Sequence, residues 1–587
     1  MRLITVVGLI GWIAGCGANA ARPLAANEAE GERGMVATVA PLATDVGVAV
    51  LRDGGNAVDA AVAAGLALGV VDPHNSGIGG GAFIVIRKAS GEVVVIDARE
   101  TAPARASRDM YVREGKVRPE FSQTGALAAG VPGLLAGYEL ALKRAGTKTV
   151  GELIGPGAEL CERGFVAGEG YAKVEARMAA ELGRFPATRA EFFKEDGTAH
   201  LAGEVVRRSG LGRTYRAIQR EGVEWFYRGE FARRLEAAMR ADGGIMTAAD
   251  LAGYRAVERE AVVSSYRGYT VVGMPPPSSG GVHVAQILNV LENFEVRGMG
   301  EADRAHLLVE AMKLAFADRA FWLGDPDFVR VPKGLIDKGY AKGLAGRIDL
   351  KKAGVVEGHG RPPGDEVFGG ERNRDDAKRL RGGLGGPAPS GGGLAGDWEK
   401  HTTHIAAADS LGNVVAITQT INTAYGSKWV VPGTGVVMNN EMDDFSIAPG
   451  TPNAFGLVGA EANAVAAGKR PLSSMSPTIL LKDGRPVMTV GAAGGPRIIT
   501  AVVQAIVNRV DLGMGVGAAL GAPRVHQQWR PGVAYSEKAV PVVEELKRRG
   551  HEVEVSGGLG VAQGIVFEEG KLVGAHDPRA QGKAAGR

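Results

Sequence analysis

A chain of 587 residues with 45% hydrophobic composition is long enough to bury one large core or several. Its 68 basic and 65 acidic residues leave a net charge of only +3 and are scattered along the chain. With aromatics at 6%, it lacks both the basic runs and the stacking platforms that a nucleic-acid partner needs. The composition, rich in glycine at 89 residues, is that of a soluble α/β enzyme with many tight turns.

At the start, Arg2 precedes an apolar run over residues 3–14, too short to span a bilayer but the length of a signal-peptide core, so residues 1–20 are expected to direct export to the periplasm or bacterial cell envelope. Two cleavage patterns compete there. Ala18-Asn19-Ala20 suits an ordinary signal peptidase, and Ile13-Ala14-Gly15-Cys16 suits a lipoprotein box in which Cys16 carries a lipid anchor. Cys161 is the only other cysteine, which leaves no internal disulfide once the leader is gone.

Further on, Asn56-Ala57-Val58-Asp59-Ala60-Ala61 predicts the opening of a buried, alanine-rich helix capped by the polar residues before it. Residues 83–86 and 93–96 are short apolar runs about Ala89-Ser90-Gly91, the pattern of a hairpin. Residues 127–350 read as mostly helical, with an amphipathic helix over 305–323, and the loop Pro275-Pro276-Pro277-Ser278-Ser279-Gly280-Gly281 interrupts them. Between residues 358 and 401 the composition shifts to a glycine-rich linker, with 8 glycines among the 15 residues 382–396. Beyond it, residues 403–408, 414–418, 478–481 and 487–490 read as strands and 498–510 as a helix, which completes an α/β pattern.

Thr402 stands where the linker meets the first of these strands. A threonine hydroxyl is a weak nucleophile and needs a base within hydrogen-bond reach. An α-amine on the same residue, with a pKa of about 7.7 to 8.0, can serve, but only if the peptide bond to His401 has been cut. Cleavage would therefore switch the residue on, and the glycine-rich tail would let the upstream end move aside.

The segments around Thr402 have a family likeness. His401-Thr402-Thr403-His404, Gly412-Asn413, Thr418-Gln419-Thr420-Ile421-Asn422 and Tyr425-Gly426 resemble the γ-glutamyltranspeptidase signature. Asn439-Asn440-Glu441-Met442-Asp443-Asp444-Phe445-Ser446, Lys469-Arg470-Pro471-Leu472-Ser473-Ser474-Met475-Ser476-Pro477-Thr478 and Gly494-Gly495-Pro496-Arg497-Ile498-Ile499 resemble its later blocks. Upstream, residues 54–63, 76–81 and 99–103 match as well, and the likeness runs from Gly34 to Arg579.

The resemblance implies a four-layer αββα sandwich of the N-terminal-nucleophile hydrolase type, made of a large segment (residues 21–401) and a small one (residues 402–587). It implies self-cleavage between His401 and Thr402, with Thr402 as nucleophile and Thr420 orienting its amine or hydroxyl. Gly494 and Gly495 would supply oxyanion donors. Arg99, with Ser473 and Ser474, would grip a substrate α-carboxylate, while Asn422, Glu441 and Asp444 would receive the α-ammonium. The substrate class implied is a γ-glutamyl amide such as glutathione, the acceptor water or an amino acid or dipeptide. No metal or organic cofactor is implied, and His404 reads as structural because no companion ligands stand at suitable spacing.

Three departures stand out, one of them an insertion before Thr402 that is longer and richer in glycine than the family pattern and bears on where the upstream segment is trimmed. Ala406 occupies a position that is usually serine or threonine, and Phe455, within the lid-like residues 449–457, replaces a tyrosine. A lost hydroxyl there would loosen the lid and favour hydrolysis over transfer. Rival readings are a glutaryl (cephalosporin) acylase or a polyglutamate-cleaving relative within the superfamily and, outside enzymes, an envelope binding protein that never matures. Asp444 beside Glu441 and Asn422 argues for γ-glutamyl substrates, since a glutaryl group carries no ammonium.

Overall fold

Two seven-stranded antiparallel sheets stacked face to face occupy the centre of the computed structural model, which describes residues 24–365 and 401–587. Their strands in chain order are β1 (Glu28–Gly31), β2 (Gly34–Thr38), β3 (Gly81–Arg87), β4 (Val93–Ala98), β5 (Val257–Arg259), β6 (Val262–Tyr266), β7 (Tyr269–Gly273), β8 (Thr403–Asp409), β9 (Val414–Thr420), β10 (Thr478–Lys482), β11 (Arg485–Ala493), β12 (Val561–Glu568), β13 (Lys571–His576) and β14 (Lys583–Gly586). One sheet runs β1-β13-β12-β11-β10-β7-β6, the other β14-β2-β8-β9-β3-β4-β5. Each contains strands from both sides of residue 402, so a cut there leaves the two pieces interleaved.

The layers follow from side-chain alternation. On β2 and β8, Met35, Ala37, Ala406 and Ala408 point into the gap between the sheets and meet Ile565 and Leu572 of the facing sheet. Ala406 therefore fills a dry inter-sheet position, where a hydroxyl would need a partner that its apolar neighbours do not offer. The opposite faces of the same strands, through Val36, Ile405 and Ala407, pack under helices α1 (Pro41–Arg52), α2 (Ala57–Val71) and α3 (Leu134–Ala145). On the far side, α4 (Gly280–Leu291), α5 (Glu301–Trp322) and α6 (Arg497–Val510) cover the other sheet and complete the αββα sandwich.

Helix α2 begins as its sequence predicts. The Asn56 side chain accepts from the N–H groups of Val58 and Asp59, and the Asp59 carboxylate accepts the Asn56 N–H in return. The hairpin over residues 83–96 is β3–β4, and β8–β9 carries the register Thr403↔Gln419 to Ala408↔Val414.

Three expectations need correction. Helix α5 is not amphipathic: Ala305 through Trp322 are all buried, because α5 lies beneath further chain on its outer side. Its charged residues Glu310, Lys313, Asp318 and Arg319 find partners inside the fold, and this makes an internal helix resemble a surface one. The stretch 127–350 also contains β5, β6 and β7, which the helical reading passed over. The loop 275–281 is shorter than it reads, since α4 starts at Gly280. The leader at residues 1–20, with its lipid-anchor candidate Cys16, and residues 366–400 of the glycine-rich linker lie outside the described residues.

Candidate active site

Thr402 is the residue immediately before β8, and the β8–β9 register, carried one step further, sets it opposite Thr420. The Thr402 hydroxyl donates to Thr420 Oγ1 at 2.9 Å, and the same oxygen accepts the Asn422 N–H at 2.8 Å. Thr402 is buried and adopts φ +86°, a left-handed conformation that a β-branched residue takes only at a cost of about 1 to 3 kcal/mol. Asn422, where the chain leaves β9, has φ +78°. Strained backbone thus flanks the threonine pair on both strands, held by the sheet around it.

On the other side of Thr402, β11 ends at Ala493 and α6 begins at Arg497. Gly494 and Gly495 make the turn between them with φ +125° and +58°. A side chain at 494 would be strained, and a Cβ at 495 would sit 2.7 Å from the Phe455 ring. The Gly494 N–H donates to the His401 carbonyl at 3.0 Å. In the uncut chain the peptide carbonyl that Thr402 would attack is therefore already held by one of the two expected oxyanion donors, at the N-terminal end of a helix.

Arg99, Asn422, Glu441, Asp444, Ser473, Ser474 and Gly495 line one narrow pocket with Thr402 and Thr420. Arg99 follows the end of β4. Its N–H donates to Asp97, its carbonyl accepts from the Tyr254 hydroxyl at 2.7 Å, and its Nε donates to the Pro471 carbonyl at 3.1 Å. Its Nη1 and Nη2 pair with Glu441 and Asp444 respectively. The groups expected to bind opposite ends of a zwitterion thus pair with each other. Glu441 keeps one oxygen, Oε2, with no hydrogen-bond partner. Burial pushes the Glu441 and Asp444 carboxyls up, with Arg99 opposing the shift for both.

Behind Arg99, Glu100 lies 3.7 Å from its Nη1 and has no hydrogen bond to either carboxylate oxygen. Burial pushes Glu100 up to about 7, only partly offset by Arg99. Its proton is bound more tightly in the folded chain than in the unfolded one, where the ordinary value of 4.5 applies. That contribution to stability is complete below about pH 4.5 and is lost as the pH rises through about 7. Uncleaved Thr402→Ala protein should therefore lose melting temperature between pH 5.5 and 8, and Glu100→Gln should flatten part of that fall. An unchanged slope in Glu100→Gln would refute this assignment.

From residues 449–457, Phe455 and Leu457 line the pocket. The Ala454 N–H donates to Asp443 Oδ2 at 2.8 Å, Asn453 Nδ2 donates to Asp444 at 3.3 Å, and Gln528 Nε2 donates to the Phe455 carbonyl at 3.0 Å. The Phe455 ring lies against Gly495 and, edge-on, 6.0 Å from His401, with no polar tip to fasten it. His404 is structural: Nδ1 pairs with Thr418 Oγ1 at 2.9 Å, and burial lowers its pKa to about 3. Among the described residues His306, Glu310 and His551 lie close enough to hold an ion, but the histidines hydrogen-bond each other at 2.7 Å and Lys313 pairs with Glu310 at 2.6 Å. They lie outside the pocket lining.

One pocket residue escaped the sequence reading. Arg319, from the last turn of α5, lines the pocket beside Ser474. Within a helix read as amphipathic, an arginine passes for a surface charge, and no motif singles it out.

The gamma-glutamyltranspeptidase family profile matches residues 43–587. The "Glutathione hydrolase proenzyme" of Escherichia coli (strain K12) is 42% identical over 557 residues, covering 94% of this chain and 91% of that protein. An "Acylase ACY 1 proenzyme" of Pseudomonas sp. (strain V22) is 39% identical over 571 residues, covering 94% and 93%. The crystal structure of a cephalosporin acylase from Bacillus halodurans superposes with a TM-score of 0.83 at 28% identity, covering 97% of this chain and 98% of that one.

Proposed function

Because the chain belongs to the gamma-glutamyltranspeptidase family, we propose that its pocket residues divide the family's chemistry among themselves as the geometry arranges them. The protein is a self-processing γ-glutamyltransferase and glutathione hydrolase, synthesised as a proenzyme. The observation that carries the assignment of roles is the alignment at one point of Thr402 with Thr420, the His401 carbonyl with the Gly494 N–H, and a pocket containing both signs of charge.

In the precursor, the Thr402 hydroxyl oxygen attacks the His401 carbonyl carbon and the peptide C–N bond breaks, which moves the acyl group from nitrogen to oxygen. Water then hydrolyses the ester, leaving His401 with a carboxylate and Thr402 with a free amine. The amine takes the hydroxyl proton as Thr402 next attacks a γ-glutamyl carbonyl, and the proton passes to the departing amine. Thr420 holds the hydroxyl in line, and Gly494 and Gly495 stabilise the oxyanion. The γ-glutamyl ester on Thr402 is then resolved by water or by the amine of an amino acid or dipeptide. Arg99, Ser473 and Ser474 take the substrate's α-carboxylate, while Asn422, Glu441 and Asp444 take its α-ammonium. An incoming head group thus replaces the Arg99 pairings with its own two charges. The unfastened Phe455 ring admits water readily and favours hydrolysis. The apolar run at residues 3–14 supports export to the cell envelope, with Cys16 as the candidate for acylation.

The acylase relatives make a glutaryl substrate the alternative to test. The enzyme should turn over glutathione and γ-glutamyl-p-nitroanilide and leave glutaryl-p-nitroanilide nearly untouched. Asp444→Asn should raise KM for the γ-glutamyl anilide about 10- to 100-fold, the loss expected for a charge-assisted hydrogen bond, with little effect on the glutaryl compound. Comparable turnover of both anilides by the wild type would overturn the γ-glutamyl assignment in favour of the acylase.

A further inference from the structure

Arg319 is 4% exposed, and its direct partners among the described residues are hydroxyls rather than carboxylates. Nε donates to Ser279 Oγ at 2.9 Å, and Nη2 donates to Ser474 Oγ at 3.1 Å. The two serines lie on loops splinted together. The Ser279 N–H and hydroxyl both donate to the Ser473 carbonyl, at 2.8 and 2.7 Å, and the Ser473 N–H donates to the Pro277 carbonyl at 2.9 Å. The polyproline loop thus backs the Ser473-Ser474 segment, and Arg319 passes along that seam into the pocket.

The two buried arginines of the pocket are in opposite electrostatic positions. Arg99 gives both terminal nitrogens to carboxylates. Arg319 feels Asp444 only at longer range, where Arg99 opposes it, and desolvation lowers its pKa to about 10, so it remains charged at neutral pH. By donating to Ser474 Oγ, it also occupies an acceptor site of that hydroxyl and leaves the hydroxyl proton free to point at a ligand.

Building on the γ-glutamyl reading above, we infer that Arg319 is a positioning and specificity-determining residue: it orients the Ser474 hydroxyl as a donor to the substrate's α-carboxylate and adds a second positive charge to that of Arg99. It acts through Ser474, and its effect is confined to ligands that carry that carboxylate. A residue that merely braced the two loops would affect every ligand of the pocket alike.

The test is inhibition of γ-glutamyl-p-nitroanilide hydrolysis by L-glutamate and by 4-aminobutanoate, which differ only in the α-carboxylate. Wild type, Arg319→Met, Arg319→Lys, Ser474→Ala and the Arg319→Met/Ser474→Ala double variant are compared, each checked for self-cleavage by intact mass. Arg319→Met should weaken inhibition by glutamate about 10- to 30-fold while changing that by 4-aminobutanoate less than about twofold. Arg319→Lys should recover part of the loss, and the double variant should be no worse than the more damaging single one. Should Arg319→Met prove too unstable to mature, Arg319→Lys and Ser279→Ala decide the matter. The lysine should still discriminate less than the wild type, and Ser279→Ala, which loosens the splint without removing charge, should discriminate as the wild type does. Equal weakening of both inhibitors, or additive losses in the double variant, would overturn the role given to Arg319. A wild type that leaves the γ-glutamyl anilide intact would instead overturn the underlying reading.

Discussion

Purified Thr402→Ala is expected as one unbroken chain in an intact-mass spectrum, while the wild type separates into two, the smaller beginning at Thr402. The reason is local. The attacking group assigned to the neighbouring His401 carbonyl is the Thr402 hydroxyl, which Thr420 holds at 2.9 Å. Removing it leaves the peptide bond with an oxyanion donor but no attacking atom. The positive φ of Thr402 adds a driving force, because a chain terminus need not hold that conformation once the bond is cut. Turnover of γ-glutamyl-p-nitroanilide should fall by at least about 10^4-fold, since both the nucleophile and the amine that serves as its base are lost. Thr402→Ser, which keeps both groups, should still cleave and turn over. An unbroken wild-type chain would mean that no free amine forms, and the non-maturing binding protein would become the reading to pursue. Because β1 to β7 and β8 to β14 share both sheets, the two products should stay together through gel filtration.

Much of the site was legible because its residues lie in short blocks with fixed local geometry. The family likeness named Thr402, Thr420, Gly494 and Gly495, and the structure supplies the geometry: the β8–β9 register sets Thr402 against Thr420, and the glycine pair turns between a strand and a helix. What stayed hidden depends on distant packing. Arg319 reaches Ser474 across 155 positions of chain, and the burial of α5 that makes its charge matter is invisible in a helix with interspersed charged residues. The pairing of Arg99 with Glu441 and Asp444 was hidden for a different reason. The likeness assigns each residue to a substrate and says nothing of how these buried charges pair with one another. β6 and β7 were lost in a largely helical stretch because each is only five residues long, and neither Val262-Val263-Ser264-Ser265-Tyr266 nor Tyr269-Thr270-Val271-Val272-Gly273 alternates apolar with polar residues. Ala406, which the likeness marks as a departure, faces the other sheet among Met35, Ala37, Ile565 and Leu572.

Gly494→Ala should impair both lives of the enzyme, the single cut and the repeated turnover, through one backbone group. At φ +125° an alanine is strained, and its Cβ would approach Gly560 Cα at 3.0 Å, so the turn has to rotate and carries its N–H away from the His401 carbonyl. Intact mass against time should show precursor persisting where the wild type is already cut. The fraction that does mature should lose about 10^2- to 10^3-fold in kcat, the usual consequence of misaligning one oxyanion donor, with KM changed much less because the α-carboxylate and α-ammonium contacts lie elsewhere in the pocket. The two readouts separate the donor's roles. Slow cleavage followed by normal turnover would mean that the 3.0 Å contact serves only the precursor and that the mature oxyanion is held by other donors. Normal cleavage with slow turnover would mean that the contact in the uncut chain has no part in the cut. Loss of both, in a chain that still melts cooperatively, is the result that the shared geometry demands, because the carbonyl cut in maturation and the carbonyl attacked in catalysis must each meet the same hydroxyl from the same side.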